Sequence, residues 1–199
     1  ISGVRRWKYD GPVAGQSFGY QYDPIGNRVT TTRDGEGELT WTANNLNQYT
    51  QRDVPGVIHL LGRADATAVV TVAGGKAGTG AVTRQGAYFH SALPAANTAS
   101  SVWDWVTVTG RITGVTNAEA GHYFVAKTPE VFGYDADGNM TTDGRWVYSW
   151  DAENRLICME TKTNAVKDGV PRQRLEFGYD HQSRRIGKAV KIWTNNAWA

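Results

Sequence analysis

One short motif recurs along this chain and limits the folds open to it: an aromatic residue, an aspartate, two further residues, and then glycine or asparagine. The two clearest copies are Tyr134-Asp135-Ala136-Asp137-Gly138 and Trp150-Asp151-Ala152-Glu153-Asn154. The aspartate can accept hydrogen bonds from the N–H groups of a turn. Glycine or asparagine tolerates the left-handed conformation that completes a three-residue hairpin loop. Each copy therefore predicts two antiparallel strands joined by a tight turn.

Five copies of the motif can be identified. They are Tyr22-Asp23-Pro24-Ile25-Gly26, Trp41-Thr42-Ala43-Asn44-Asn45, the two copies above, and Tyr179-Asp180-His181-Gln182-Ser183. In the second copy Thr42 takes the place of Asp. In the last, Ser183 occupies the left-handed position at a cost on the order of 1 kcal/mol relative to glycine. Tyr9-Asp10-Gly11-Pro12 is a sixth, altered candidate. The residues expected to form the repeat turns are Tyr22, Asp23, Gly26, Tyr134, Asp135, Gly138, Trp150, Asp151, Asn154, Tyr179 and Asp180.

Aromatic residues alternate on the strands that flank these turns. Phe132 and Tyr134 share one face of their strand, and Trp146, Tyr148 and Trp150 share one face of the next. A period of two indicates β-strands. A short hairpin cannot bury such a face alone, so the hairpins must stack or continue into one sheet. The predicted fold class is therefore all-β, with an antiparallel sheet of stacked hairpins.

Three of these strings carry a resemblance to a known family. They are Tyr22-Asp23-Pro24-Ile25-Gly26-Asn27-Arg28, the Tyr-Asp-x-x-Gly-Asn-x-Thr string that starts at Tyr134, and the Trp-Asp-Ala-Glu-Asn-Arg-Leu string that starts at Trp150. They resemble the YD repeats of RHS-repeat proteins. The resemblance covers about residues 8–53 and 131–193.

The resemblance implies both a fold and a role. In that family, which includes bacterial polymorphic toxins, toxin-complex proteins and teneurins, the repeats wind into a β-sheet spiral. The spiral closes into a hollow shell, sometimes around a toxic domain. The resemblance implies that the partner of this chain is the rest of a parent protein, and that it is extracellular or on a bacterial cell surface. The self-cleaving core and toxin domain of the family lie further toward the C-terminus, and neither is recognisable here.

Residues 54–130 interrupt the repeats and contain no copy of the motif. About six or seven short β-rich runs follow one another there, with Gly, Pro or Asn between them, which predicts a small β-sandwich. Their order is similar to bacterial immunoglobulin-like modules, and Pro55 and Pro129 mark the two ends. The expected organisation is repeat hairpins over 1–53, an inserted Ig-like β-sandwich over 54–130, and repeat hairpins over 131–199.

Composition and charge argue against several classes of partner. The formal net charge is +2 over 199 residues, so nothing electrostatic favours a nucleic acid or an anionic membrane. No window is apolar enough for membrane insertion. The single cysteine, Cys158, allows no intrachain disulfide. Because the chain starts at Ile1 and has no signal peptide, we expect it to be a fragment of something longer.

Signatures of catalysis are absent from the sequence, which has no nucleophile elbow, zinc-protease motif or phosphate loop. Cys158 is expected to be a buried structural thiol on the same strand face as Leu156. The histidines are scattered singly, so neither a metal site nor another cofactor is expected. They are His59, His90, His122 and His181. The chain is expected not to be an enzyme, and scattered acids leave a hydrolase or a self-cleaving role as an alternative.

Eight tryptophans are the main sign of binding, because flat rings on an exposed β-face stack on sugar rings. The candidate ligand-binding residues are Tyr88, Trp103, Asp104 and Trp105. In the competing interpretation Asp104 is a solvated residue on a strand whose tryptophans face inward. The main functional hypothesis is a non-catalytic structural segment that contributes a β-sheet shell or surface stalk. The alternative is a module that binds glycans or a protein at the cell surface through exposed aromatics of the sandwich.

Overall fold

The structure, a computed structural model, describes residues 2–6, 11–34 and 36–199. These residues form twenty β-strands, one short helix and the loops between them. The strands assemble into antiparallel sheets, so the prediction of an all-β fold is confirmed. Within the described ranges, no helix has the length and apolar character needed to cross a bilayer.

Two compact units divide the chain. The first contains Ile1–Thr42 and Arg52–Thr128, and the second contains Ala43–Gln51 and Pro129–Ala199. The three-part organisation expected from the sequence stays a prediction.

The N-terminal hairpins of the first unit form one antiparallel sheet. The strands in this part of the chain are β1 (Ser2–Arg6), β2 (Pro12–Tyr22), β3 (Arg28–Arg33), β4 (Leu39–Ala43) and β5 (Tyr49–Arg52). The first four are neighbours in the order β1-β2-β3-β4. Arginine covers the half-buried rings: the Arg28 guanidinium lies 4.1 Å from the Trp41 ring centroid and 5.7 Å from that of Tyr20. Tyr9 and Asp10, from the sixth candidate motif, lie outside the described residues.

Four of the hairpin loops share one backbone conformation. The N–H of the loop aspartate donates to the carbonyl four residues later over 2.8 to 3.0 Å, and its own carbonyl accepts the N–H of the third residue after it. That third residue lies in the left-handed region, with φ of +98° at Gly26, +88° at Gly138, +56° at Asn154 and +60° at Ser183. This is a type I turn closed by a left-handed residue, which keeps the two strands in register.

Each of these four hairpins also carries a β-bulge at the same place. In the first, Tyr22 pairs with Arg28 while the residue before Tyr22 pairs with Thr30, so Val29 is the extra residue. The equivalent extra residues in the other three hairpins are Thr141, Ile157 and Ile186. A bulge bends its strand and increases the right-handed twist. The repeat in sequence is therefore a repeat in backbone geometry that extends beyond the loop.

The remaining loop is displaced by two residues along the chain. Asn44 starts this loop, and the expectation that Thr42 does so is wrong. The Asn44 Oδ1 accepts the N–H groups of Leu46 at 2.9 Å and Gln48 at 3.0 Å. Asn47 is the left-handed residue, with φ of +60°. Asparagine replaces aspartate here because both side chains present an acceptor oxygen at the same point.

Seven strands between residues 57 and 125 form two sheets. They are β6 (Val57–Arg63), β7 (Val69–Gly74), β8 (Gly78–Gly80), β9 (Val82–Gln85), β10 (Tyr88–Pro94), β11 (Val102–Ile112) and β12 (Val115–Val125). One sheet has the order β6-β10-β9 and the other the order β12-β11-β7-β8. Strands that follow one another in sequence often lie in different sheets, as β6 and β7 do. The likeness to an immunoglobulin-like module stays a prediction.

The inner faces of these two sheets enclose an apolar core. Leu93 on β10 and Val72 on β7 are fully buried. A Cβ added at Gly80 would lie 2.6 Å from Leu93 Cδ2, so the close packing of the sheets requires glycine there. A second buried cluster consists of Val54, Ala95, Val102, Val125 and Ala126. The buried Asn97 amide donates to the backbone carbonyls of two members of this cluster, at 3.2 and 2.9 Å.

The second unit contains a seven-stranded sheet and the helix. Its elements are β13 (Glu130–Val131), β14 (Gly133–Tyr134), β15 (Met140–Thr142), β16 (Trp146–Trp150), β17 (Leu156–Thr161), α1 (Thr163–Lys167), β18 (Gln173–Tyr179), β19 (Arg185–Thr194) and β20 (Ala197–Trp198). The sheet follows sequence order from β14 to β20, as successive hairpins require. The Phe132 N–H donates to the Thr50 carbonyl at 2.9 Å, which ties residues 43–51 to this unit.

Replacing Gly138 by alanine is expected to lower the free energy of unfolding by about 1–2 kcal/mol, because Cβ of an L-residue in the left-handed region approaches the following carbonyl. The nearest atom that the new Cβ would meet is the flexible end of Gln48, at 3.4 Å, so backbone strain dominates. Urea titration followed by fluorescence measures the effect.

Gly178→Ala is the matched control in the same unit. Gly178 has no left-handed φ, and no heavy atom lies within 4 Å of an added Cβ. A loss of stability at Gly178 as large as that at Gly138 would contradict the loop geometry as the cause.

Candidate functional site

The aspartate of each hairpin loop is the most frequently repeated polar site in the chain. At Asp151, Oδ1 accepts the N–H groups of Glu153 at 2.9 Å and Arg155 at 3.0 Å, and Oδ2 accepts from Arg155 Nε at 2.8 Å. The hydrogen bond from the Arg155 backbone, helped by that from its side chain, holds the pKa of the Asp151 carboxyl below its usual range. Asp180 repeats the arrangement with Arg184. The carboxylate thus supplies acceptors to turn N–H groups that no strand partner reaches.

Each of these sites contains one more loop residue, four positions after the aspartate or asparagine. The five-residue sequence motif ends before this position. The side chain four positions after the loop aspartate or asparagine hydrogen-bonds back to it. These residues are Asn27, Gln48, Asn139, Arg155 and Arg184. This spacing is visible in the sequence. Had it been part of the motif, it would have placed the displaced loop at Asn44 instead of Thr42.

The four candidate ligand-binding residues do not form one site. Tyr88 is on β10 in one sheet of the sandwich, whereas Trp103, Asp104 and Trp105 follow one another on β11 in the other. Tyr88 is 40% exposed and Trp105 is 44% exposed. The Trp103 ring stacks on His122, with centroids 5.2 Å apart. A ligand role for these residues stays a prediction.

Asp104 is buried, so the interpretation of a solvated carboxylate between inward-facing tryptophans is wrong. It is 7% exposed, while Trp105 beside it is 44% exposed. Asp104 Oδ2 accepts the Lys76 N–H at 2.6 Å and the Tyr123 hydroxyl at 3.3 Å, and Oδ1 accepts the Trp105 N–H at 2.9 Å. Burial alone would raise the pKa of the Asp104 carboxyl, but these hydrogen bonds hold it below its ordinary value. The carboxylate therefore fastens the turn between β7 and β8 to β11.

Two of the four histidines lie side by side, which corrects the expectation that all are scattered singly. His59 Nδ1 is 3.0 Å from His90 Nε2, and their rings stack with centroids 5.3 Å apart. His59 Nε2 is 2.9 Å from Glu36 Oε1, and the His59 side chain is only 5% exposed. A Cβ at Gly15 would lie 2.7 Å from His90 Cδ2, so β2 can approach the ring only with glycine there. The histidine pair therefore joins β2 to the sandwich within the first unit.

Burial favours the neutral form of both rings. It lowers the pKa of His59, and the charge of Arg33 adds to this effect. Glu36 and Asp34 oppose it. Burial and the neighbouring His59 likewise lower the pKa of His90. In the part of the chain that the structure describes, no group of three or more His, Cys, Asp or Glu side chains is placed to hold a metal ion.

Cys158 and Leu156 lie on opposite faces of β17, so the expectation that they share a face is wrong. The bulge after the Trp150 loop inserts Ile157 as an extra residue. Leu156 therefore pairs with Trp150, while Cys158 pairs with Ser149 on the other face. Burial raises the pKa of the Cys158 thiol, which disfavours the reactive thiolate.

Comparison with known proteins gives a partial likeness. Over 61 residues the chain is 38% identical to "tRNA nuclease WapA" of Bacillus subtilis (strain 168) and to "tRNA3(Ser)-specific nuclease WapA" of Bacillus spizizenii. The same identity holds for "tRNA(Glu)-specific nuclease WapA" of Bacillus subtilis subsp. natto. The matched stretch is 31% of this chain and only 2% of each relative. No family model matches the chain, and no solved structure matches it.

This likeness overturns the expectation that the chain is not an enzyme. All three relatives are named as nucleases that act on tRNA. The expectation depended on the lack of short catalytic motifs in 199 residues. Because the matched stretch is about one-fiftieth of each relative, that lack carries little weight.

Asp104→Asn is expected to lower the free energy of unfolding by about 1–3 kcal/mol at neutral pH, because an amide N–H then faces another donor in a buried site. The folded pKa of Asp104 is below its ordinary value of 3.8, so the stabilisation is present above that value and declines as the pH falls through the folded pKa. Urea unfolding at neutral and at acidic pH measures both effects. Asp137→Asn, in an exposed loop position, is the control, and an equal effect there would contradict the role of Asp104.

His59→Gln is expected to reduce the loss of stability on acidification. The folded pKa values of His59 and His90 lie below the ordinary 6.5, so the unfolded chain binds protons first. Their contribution is complete above that pH and is lost as the pH falls below it. The measurement compares urea midpoints at about pH 7.5 and about pH 5.5. His181→Gln, in an exposed loop, should keep the wild-type difference, and an unchanged difference in His59→Gln would refute the assignment.

Proposed function

We propose that this chain is a structural segment of a longer YD-repeat protein, in which its hairpins contribute to a β-sheet wall. The observation that carries the proposal is the repeated geometry of the hairpins. Four loops share the same acceptor, the same left-handed position and the same bulge. Repetition of backbone geometry without a matching set of reactive groups is typical of an element that builds a surface.

The closure of the loops supports this role. Each loop satisfies backbone N–H groups within about five residues. Side chains also join successive loops: Asn139 Nδ2 donates to Asn154 Oδ1 at 2.8 Å, and Arg155 Nη1 donates to Ser183 Oγ at 3.3 Å. A segment built in this way can be extended at either end by further hairpins, because each new strand needs only an edge to pair with. In the proposed wall the partner of this chain is the rest of its own protein.

The relatives support a second part of the proposal. Because the chain is similar to proteins named as tRNA nucleases, we propose that the longer protein cleaves tRNA. The resemblance to YD-repeat proteins adds that this protein is secreted or displayed on a bacterial cell surface. In this proposal the wall segment and the tRNA-cleaving activity belong to one polypeptide.

The test uses the longer protein and measures tRNA cleavage and resistance to limited proteolysis on the same samples. Asp135→Ala combined with Asp151→Ala removes the loop acceptors of two hairpins, and Asp137→Ala is the control in an exposed loop position. We expect the double variant to be digested faster, because its turn N–H groups lose their acceptors and the strands open more often. Its cleavage of tRNA should fall only in proportion to the folded protein that remains.

Two results would contradict the proposal, each in a different part. Loss of tRNA cleavage by the double variant with unchanged protease resistance would indicate a chemical role for the loop carboxylates, and it would contradict the proposed β-sheet wall. If the intact longer protein does not cleave tRNA, only the proposed nuclease activity is contradicted.

A further inference from the structure

A cleft of about 590 Å³ opens on the outer face of the β6-β10-β9 sheet, within the first unit. The opposite wall is the start of β2, where Val13 and Ala14 line the space. Leu61 on β6 and His90 on β10 form the floor beneath them. A volume of this size falls in the range of small-molecule sites, which is roughly 300–1,000 Å³.

Positively charged side chains line the cleft. Arg5 and Arg63 are among the described residues of its lining, and none of those described residues is Asp or Glu. The described walls therefore present guanidinium groups without carboxylates to neutralise them in the space itself.

Arg63 is held in place before any ligand arrives. The Arg63 guanidinium stacks over the Tyr88 ring at 5.3 Å from its centroid, and the two residues are cross-strand neighbours. Arg84 does not add to the charge of the cleft: it pairs with Phe89, on the inner face that carries the buried Ser91 and Leu93, and its Nη2 donates to the carbonyls of Asp65 at 2.8 Å and Gly86 at 2.9 Å. Fixed donors lose little entropy on binding.

We infer that this cleft binds a small organic anion, with a phosphate or carboxylate group against the arginines and a flat apolar body over Leu61 and Val13. Bidentate contacts suit the guanidinium group to both kinds of anion. The apolar wall and floor suit a ring or a short hydrocarbon, because such a body removes exposed apolar surface from water. The site lies apart from the hairpin loops and does not depend on the structural role proposed for them.

The experiment is isothermal titration of the complete chain with four probes that separate charge from body. They are phenyl phosphate, benzoate, benzyl alcohol and inorganic phosphate. We expect phenyl phosphate to bind with a dissociation constant of about 1 mM or tighter. Benzyl alcohol lacks the charge and inorganic phosphate lacks the ring, so the dissociation constant of each should be at least about tenfold higher than that of phenyl phosphate. The comparison of phenyl phosphate with benzoate tells which anion the arginines prefer.

Arg63→Gln should weaken phenyl phosphate binding by about tenfold and leave benzyl alcohol unaffected. Arg5→Gln, on an exposed strand, is a second variant that removes a cleft charge without touching the sandwich. Arg111→Gln removes the same charge from β11, away from the cleft, and should leave binding within about twofold of wild type. The inference is overturned if phenyl phosphate does not bind at about 10 mM, if benzyl alcohol binds equally well, or if Arg63→Gln and Arg111→Gln weaken binding equally.

Discussion

An acceptor oxygen at the start of each loop holds the hairpin sheets together. A three-residue loop turns the chain so sharply that some of its N–H groups have no strand opposite them, and each must find another acceptor. The side chain of an aspartate such as Asp151, or of Asn44, accepts two of them at once. The left-handed residue then returns the chain in register. Because both requirements are met within a few residues, each hairpin is specified by its own short sequence.

The two kinds of sheet in this chain are stabilised in different ways. The sandwich encloses fully buried side chains such as Leu93 and Val72 between two faces. The rings of the hairpin sheets are mostly half-buried, and guanidinium groups lie over them, as Arg155 does over Tyr179 at 5.2 Å. A guanidinium group can cover a ring and still be hydrated at its edge, so such a face tolerates water where a leucine core would not.

How much could be predicted from the sequence depends on the range of the interaction involved. The all-β fold and the left-handed positions at Gly138 and Asn154 follow from chemistry within five residues. The loop at Asn44 was not predicted because the motif was aligned on the aromatic residue Trp41. Gln48, four residues after Asn44, marks the observed position of the loop. The burial of Asp104 was not predicted because two of its donors, the Lys76 N–H and the Tyr123 hydroxyl, are 28 and 19 residues away in sequence. The contact of His59 with His90 spans 31 residues and two strands, and no local pattern reports it.

The recurrent bulge has a consequence for any longer array of these hairpins. Each extra residue, from Val29 to Ile186, adds a bend of the same hand at the same point of its strand. Bends of one hand add to one another, so we expect a longer run of such strands to be strongly twisted and not flat.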